Sequence, residues 1–396
     1  MPTNIGVGFS QKEDIFEAGE KACLEAKLNL GAESAKLAIV FSSIEFASQK
    51  LLEGVLSIMP EVNIIGASGA GIITAKGTER KGVAVMLIES DEISFITGLE
   101  QNINSSGSLA SGERLAESCL EKLFDTQRNM FILLSCSDIN NPTDLVSGLK
   151  NRFGMSFPIF GGFATDNFCF KKSFVYFNTG VYNNAAVGLL VCSRVLHFGK
   201  GAKHGWKPIG RTHEVTASSE NNIQQIDNLP ALKVYEDYFD KAKEELLHTP
   251  LSQITIFYPL GIYLEAEREY ILRNVLRLEN DGSLTCQADV PNNSQIKLMM
   301  GTKDACLSAS MQSFWEATDQ VRDKKILFCL IFDSLSRLKL LGRTIDKELA
   351  FAKDQISEVP IIGLFTFAEV APLRAIDYMG ESHIHNESML VLTFAK

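Results

Sequence analysis

One phrase recurs along this chain and limits what it can fold into. An apolar run ends in small polar residues, a helix-length stretch follows, and a second apolar run leads into glycine. The copies begin at Leu37, Met130 and Ile326, and their second runs reach Gly66, Gly161 and Gly363. From the small residue to the glycine the spacings are 24 (Ser42), 26 (Ser135) and 34 (Cys329). A further apolar run closes each copy, at Val83, Ala186 and Met389. Runs this short fit buried strands, and the intervals between them fit a helix. A repeated β-α-β-β unit means α/β architecture with divergent internal symmetry.

At 396 residues the chain exceeds one ordinary core and is expected to form two sheet-centred domains, divided at 1–228 and 229–396. A hydrophobic fraction of 45% supplies packed interiors. The net charge of −10 argues against a nucleic-acid partner, because phosphate contacts need concentrated positive charge. Lys200, Lys203, Lys207 and Arg211 are too scattered to overturn that. The eight cysteines contain no CxxC pair and several sit in apolar runs, the pattern of reduced thiols packed as small hydrophobes. The opening residues lack a basic stretch followed by an apolar one, and no apolar run approaches ~20 residues. The expectation is a cytoplasmic protein without membrane insertion.

Helices are expected at Asp14–Leu30, Ser48–Met59, Ser111–Lys122, Pro230–Leu247 and Lys303–Thr318. A strand is expected at Ile254–Tyr258, and a hairpin turning at Asn280-Asp-Gly. Residues 195–226 read as a glycine-rich loop segment that holds three of the six histidines.

The glycines from Gly66 to Gly71 suggest a phosphate loop, but another strand follows them where a helix N-terminus would be needed. They read as turn and close-approach residues. His383 and His385 alternate on one strand and make half a metal site. Cys329 lies in a buried strand where a thiol is inert, and no base can be assigned to it. His204 and Trp206 form the most unusual local cluster, an imidazole beside an indole in a glycine-bounded segment. Such a pair lines an apolar pocket with a polar handle. His213, Arg273 and His385 complete the candidate ligand-binding set.

His204-Gly-Trp-Lys-Pro-Ile-Gly and the stretch Leu229 to Phe239 resemble the FIST family of sensory domains with an N-terminal and a C-terminal half. The resemblance extends to Ile65–Gly71, Phe160–Asn167, Phe177–Val191, Val359–Pro372 and His385–Leu392, in the family's order. The chain departs from it at Ala67-Ser-Gly-Ala, at Phe328-Cys329 and at Phe367-Ala368, changes that make a pocket more apolar. The resemblance implies ligand sensing rather than catalysis, so the chain is expected not to be an enzyme. It also implies a separate output partner, with a histidine kinase or a cyclic-dinucleotide signalling protein as candidates. One stand-alone subgroup binds haem and senses nitric oxide, and on that basis His204 is the candidate cofactor and metal ligand, with His213 and His385 behind it. The cofactor itself is left open. The alternatives are a small-metabolite sensor without haem, a ligand-free scaffold and an unrecognised enzyme.

Overall fold

All three phrases fold into a parallel strand pair flanked by an antiparallel strand, in one shared register. Val40, Leu133 and Ile331 on the first strands stand opposite Gly66, Gly161 and Gly363. Their other neighbours are Val85, Gly188 and Val391 on the closing strands. The computed structural model describes residues 3–124, 126–167, 171–249, 254–265, 268–374 and 379–396.

Register corrects the spacing read from sequence. The positions that match Ser42 and Ser135 carry Asp333, not Cys329. Cys329 sits a helix-free stretch earlier, fully buried, its thiol pushed up to about 12 by burial.

Each repeat is longer than its phrase, because a strand and a helix precede it. These are Asn4–Ser10 with Ile15–Leu30, Ser94–Gln101 with Ser108–Leu120, and His197–Lys203 with Lys303–Asp319. Each leading strand pairs antiparallel with the closing strand of its own repeat. Side-chain caps start the helices where the sequence places them. Asp14 accepts from the Glu17 amide, Ser48 from Lys50 and Thr302 from Ala305. Each cap of this kind typically contributes about 1 kcal/mol.

Hairpins tie the three sheets into a ring. The first repeat's hairpin, Ile72–Thr74 with Gly77–Glu79, extends the third repeat's sheet at Ile361–Thr366. The second repeat's, Val175–Phe177 with Gly180–Tyr182, extends the first at Asn63–Gly69. The third repeat's, Glu369–Arg374 with Met379–His385, extends the second at Ile159–Phe163. Every parallel pair thereby gains a covered edge from a neighbour, which removes a template for aggregation. Apolar contact follows the same route, with Phe41 meeting Phe332 edge-on at 6.1 Å between centroids.

Between the third repeat's first strand and its helix lies an inserted eight-stranded sheet, from Lys207 to Met300. The architecture is α/β with two domains. The 228/229 junction falls inside the inserted sheet, where Gln225 and Ile226 pair with Pro230 and Leu229.

Three local expectations fail. Residues 197–203 and 207–219 are strands, not loop. The glycines serve close packing there: a Cβ at Gly199 or Gly201 would stand 2.0 Å from the Ala317 or Ser313 carbonyl oxygen of the overlying helix. The long helix from Pro230 is two short ones, Lys233–Phe239 and Lys243–His248, broken by Asp240 at φ 51°. Aspartate tolerates that left-handed backbone better than most residues. Ile254–Tyr258 is a helical turn, closed by the Tyr258 amide on the Ile254 carbonyl at 2.9 Å. Its buried isoleucines gave a short apolar run that fits either element. The hairpin around Asn280-Asp-Gly is present, with Val275–Leu278 against Leu284–Cys286.

Candidate functional site

The corner from His204 to Trp206 is where the chain leaves the third repeat for the inserted sheet. Gly205 makes it, with φ 86° and the Ala305 carbonyl only 2.7 Å from where a Cβ would be. Trp206 turns inward to 2% exposure, donates its indole N–H to Ile256 O at 3.2 Å and covers Gly301. Its backbone N–H donates to His204 Nδ1 at 2.9 Å. Burial lowers the His204 pKa to about 4; Glu269 and a main-chain bond to Tyr270 oppose, while Arg337 and Lys203 reinforce. The imidazole is therefore neutral, with both nitrogens engaged.

Beside this corner lies a cavity of about 350 Å³, lined by His204, Trp206, Tyr270, Gln312 and His385 among others. His385 arrives on the third repeat's hairpin, only 4% exposed. Its Nε2 stands 3.0 Å from the Ala371 carbonyl oxygen, and burial drives its pKa to about 3. At the rim Lys203 bridges Glu269 at 2.8 Å and Glu316 at 3.3 Å. Burial works against that ammonium, but the two carboxylates outweigh it and raise its pKa.

Behind the cavity wall is a buried acid cluster that sequence reading missed. Arg337, without exposure, donates to the His204 carbonyl oxygen at 2.8 Å and to Cys306 O at 3.0 Å. Its Nε is 2.9 Å from Asp333, and another guanidinium nitrogen contacts both Glu348 and Ser310. Glu369 accepts from the Thr366 hydroxyl at 2.7 Å and the Ser388 amide at 3.3 Å. Burial raises Glu369 to about 8 and pushes Asp333 and Glu387 well above the carboxylate range. One guanidinium cannot neutralise four enclosed carboxylates, so part of the cluster holds protons at neutral pH.

The signal for this cluster was in the repeat register. Ser42 and Ser135 carry no charge where the third repeat has Asp333. Amides of Ser43, Cys136 and Ser334 bond the carbonyls of Gly82, Ala185 and Ser388, which puts Glu387 at the place of Lys81 and Asn184. The third copy alone has become acidic at both positions.

Of the sequence candidates, the structure brings His204, Trp206 and His385 to one cavity. Arg273 is buried nearby and spends its donors on the carbonyls of Asp289, Leu272 and Ile384, tying the inserted sheet to the His385 strand. His213 belongs to the inserted sheet and pairs with Asp227 at 2.8 Å. Two larger hollows lie elsewhere, a groove of about 570 Å³ between Ile5–Phe9 and Ser357–Ile361 and a charged depression of about 780 Å³ at Lys233–Glu244.

Haem does not fit on His204. An axial ligand needs an open nitrogen lone pair, and this ring has none. Lys203, Glu269 and Gln312 also give the cavity a polar wall. Among the described residues no group of three or more His, Cys, Asp or Glu is placed to hold a metal ion. No described helix is long and apolar enough to cross a membrane.

Comparison with known proteins adds the family. No curated protein matches the chain. Among solved structures, the cyanuric acid hydrolase from A. caulinodans aligns over 99% of this chain and 99% of its own, with 6% identity and TM-score 0.38. A second cyanuric acid hydrolase covers 99% and 100%, with 8% identity and TM-score 0.37. The expectation that the chain is not an enzyme is corrected: the solved structures it aligns with include hydrolases, and catalysis is left open. At that distance no active site is transferred. The FIST N domain matches residues 36–229 and the FIST C domain residues 231–372. The chain belongs to the FIST family, whose domains sense ligands in signal transduction.

Proposed function

We propose that this chain receives a small molecule in the cavity at its His204–Trp206 corner and passes that event to an output partner. Arg337 carries the reading, because one guanidinium holds the cavity wall at the His204 carbonyl and the buried acids behind it. A ligand that shifts His204 or His385 changes the hydrogen bonding of a cluster that tolerates little unpaired charge. Asp333 ends a core strand and Glu348 lies in the helical segment from Gly342, so the cluster joins two elements able to move apart. Signalling requires that ligand bind two arrangements unequally.

Three points refine this reading. The domain division is taken at 1–228 and 229–396, with the cavity lined from both parts, by His204 and Trp206 from the first and by Tyr270 and His385 from the second. A histidine kinase or a cyclic-dinucleotide signalling protein is the partner class the family suggests. The ligand class is taken as a small metabolite rather than haem, because Lys203, Glu269 and Gln312 give the cavity a polar wall.

A thermal-shift screen of a metabolite library tests the site. Ligands that stabilise the wild-type protein should fail to stabilise His385→Phe, which replaces the cavity's imidazole with an apolar ring. Equal stabilisation of both proteins by every hit would place sensing elsewhere.

A further inference from the structure

The two imidazoles of the cavity are in opposite states. Both His204 nitrogens are engaged, by Trp206 and by Tyr270. His385 Nε2 faces the Ala371 carbonyl oxygen, which can only accept, so the ring proton is on Nε2. Nδ1 is left with a bare lone pair. Among the described residues no donor is paired with it. Burial holds the ring neutral down to about pH 3, so His385 remains an acceptor. A ligand that closes over this acceptor must supply a donor or leave it unpaired.

The other walls narrow the class further. Lys203 is committed to Glu269 and Glu316, and Lys207 in the same wall offsets the second carboxylate, which leaves no net charge for an ion to answer. Trp206 and Tyr270 give flat aromatic surface, and Ala305, Ala309 and Leu373 are small or apolar. Flat walls favour a ring, which stacks or meets them edge-on.

We infer that the cavity takes an uncharged planar ring bearing an N–H, with that N–H donated to His385 Nδ1 and the ring set against Trp206 and Tyr270. This rests on the reading of the cavity as the ligand site. It adds a specificity rule: a ring of equal shape without the donor leaves Nδ1 dry and is rejected.

Indole and benzofuran test it, since they match in shape and differ in one N–H against an oxygen. Titration of each into the full chain, followed by NMR, reads both affinity and place. The expected result is indole binding at least tenfold tighter, with the His385 Nδ1 resonance moving toward a hydrogen-bonded value. His385→Leu should bring the two affinities together; direct observation of Nδ1 in the wild-type protein stands in if that variant does not fold. Equal affinities at the cavity, or an unmoved Nδ1 resonance, would overturn the donor rule while leaving the ligand site in place. Absence of indole binding would overturn the ring class. Indole shifts confined to the Ile5–Phe9 groove would instead count against the cavity itself.

Discussion

Arg337 donates to the main-chain oxygen of His204 at 2.8 Å, across 133 residues of sequence and from the centre of a four-carboxylate cluster. A cavity wall and a buried charge network are thus one bonded unit. The guanidinium donates to two carbonyls, a hydroxyl and Glu348 while standing at ion-pair distance from Asp333, a task its planar fork suits and an ammonium does not.

Removing that cation strands the acids. Arg337→Met should cost about 3–5 kcal/mol, because the remaining carboxylates lose their counter-charge in a dry interior. Urea unfolding at neutral pH measures it. Arg337→Met combined with Glu348→Met should recover part of the loss; a double variant no more stable than the single one would separate the two residues energetically.

Glu369 makes stability fall with rising pH. Its folded pKa of about 8 lies above the ordinary 4.5, so the native state keeps a proton that the unfolded chain releases. Stability contributed by that proton is full below about pH 4.5 and is lost as pH rises to about 8, at up to about 1.4 kcal/mol per pH unit. Glu369→Gln should flatten this part of the profile. An identical slope in wild type and variant would assign the titration to another group.

His385 acts in the opposite direction. Its pKa falls from 6.5 to about 3 on burial, so its contribution is present above pH 6.5 and is lost progressively toward pH 3. His385→Phe should make unfolding less steep in acid over that window, measured by circular dichroism at a series of pH values. An unaltered acid limb would mean that the ring is not held neutral.

The legible part of this protein was its repetition. The apolar runs at Leu37, Met130 and Ile326 all became first strands, with the expected parallel and antiparallel neighbours. Cyclic exchange of hairpins was not legible, because nothing in the run at Ile72 says which sheet will accept it. His204 and Trp206 announced themselves by rarity, and both line the cavity. Asp333 and Glu387 stayed hidden because each lies at the end of an apolar run and reads as a surface residue. Only register places them against Ser42, Ser135, Lys81 and Asn184. The glycines at 199 and 201 misled for a related reason. Close approach of a helix and loop flexibility ask for the same residue.

Crowding at Gly201 gives a direct check on that packing. Gly201→Val should destabilise by more than about 3 kcal/mol, since its Cβ would stand 2.0 Å from the Ser313 carbonyl with backbone on both sides. A fall of under about 1 kcal/mol in thermal or urea unfolding would mean that the helix can move away.

Hydrogen–deuterium exchange with a stabilising ligand from the metabolite screen addresses the central claim most directly. Ligand bound at the cavity should slow exchange in three separated segments together: 204–206, 335–349 and 385–388. They meet through Arg337, Asp333 and the His385 turn. In Arg337→Lys the response at 335–349 should shrink while protection at 204–206 persists. Protection confined to the Ile5–Phe9 groove, or limited to 204–206 in the wild-type protein, would contradict it.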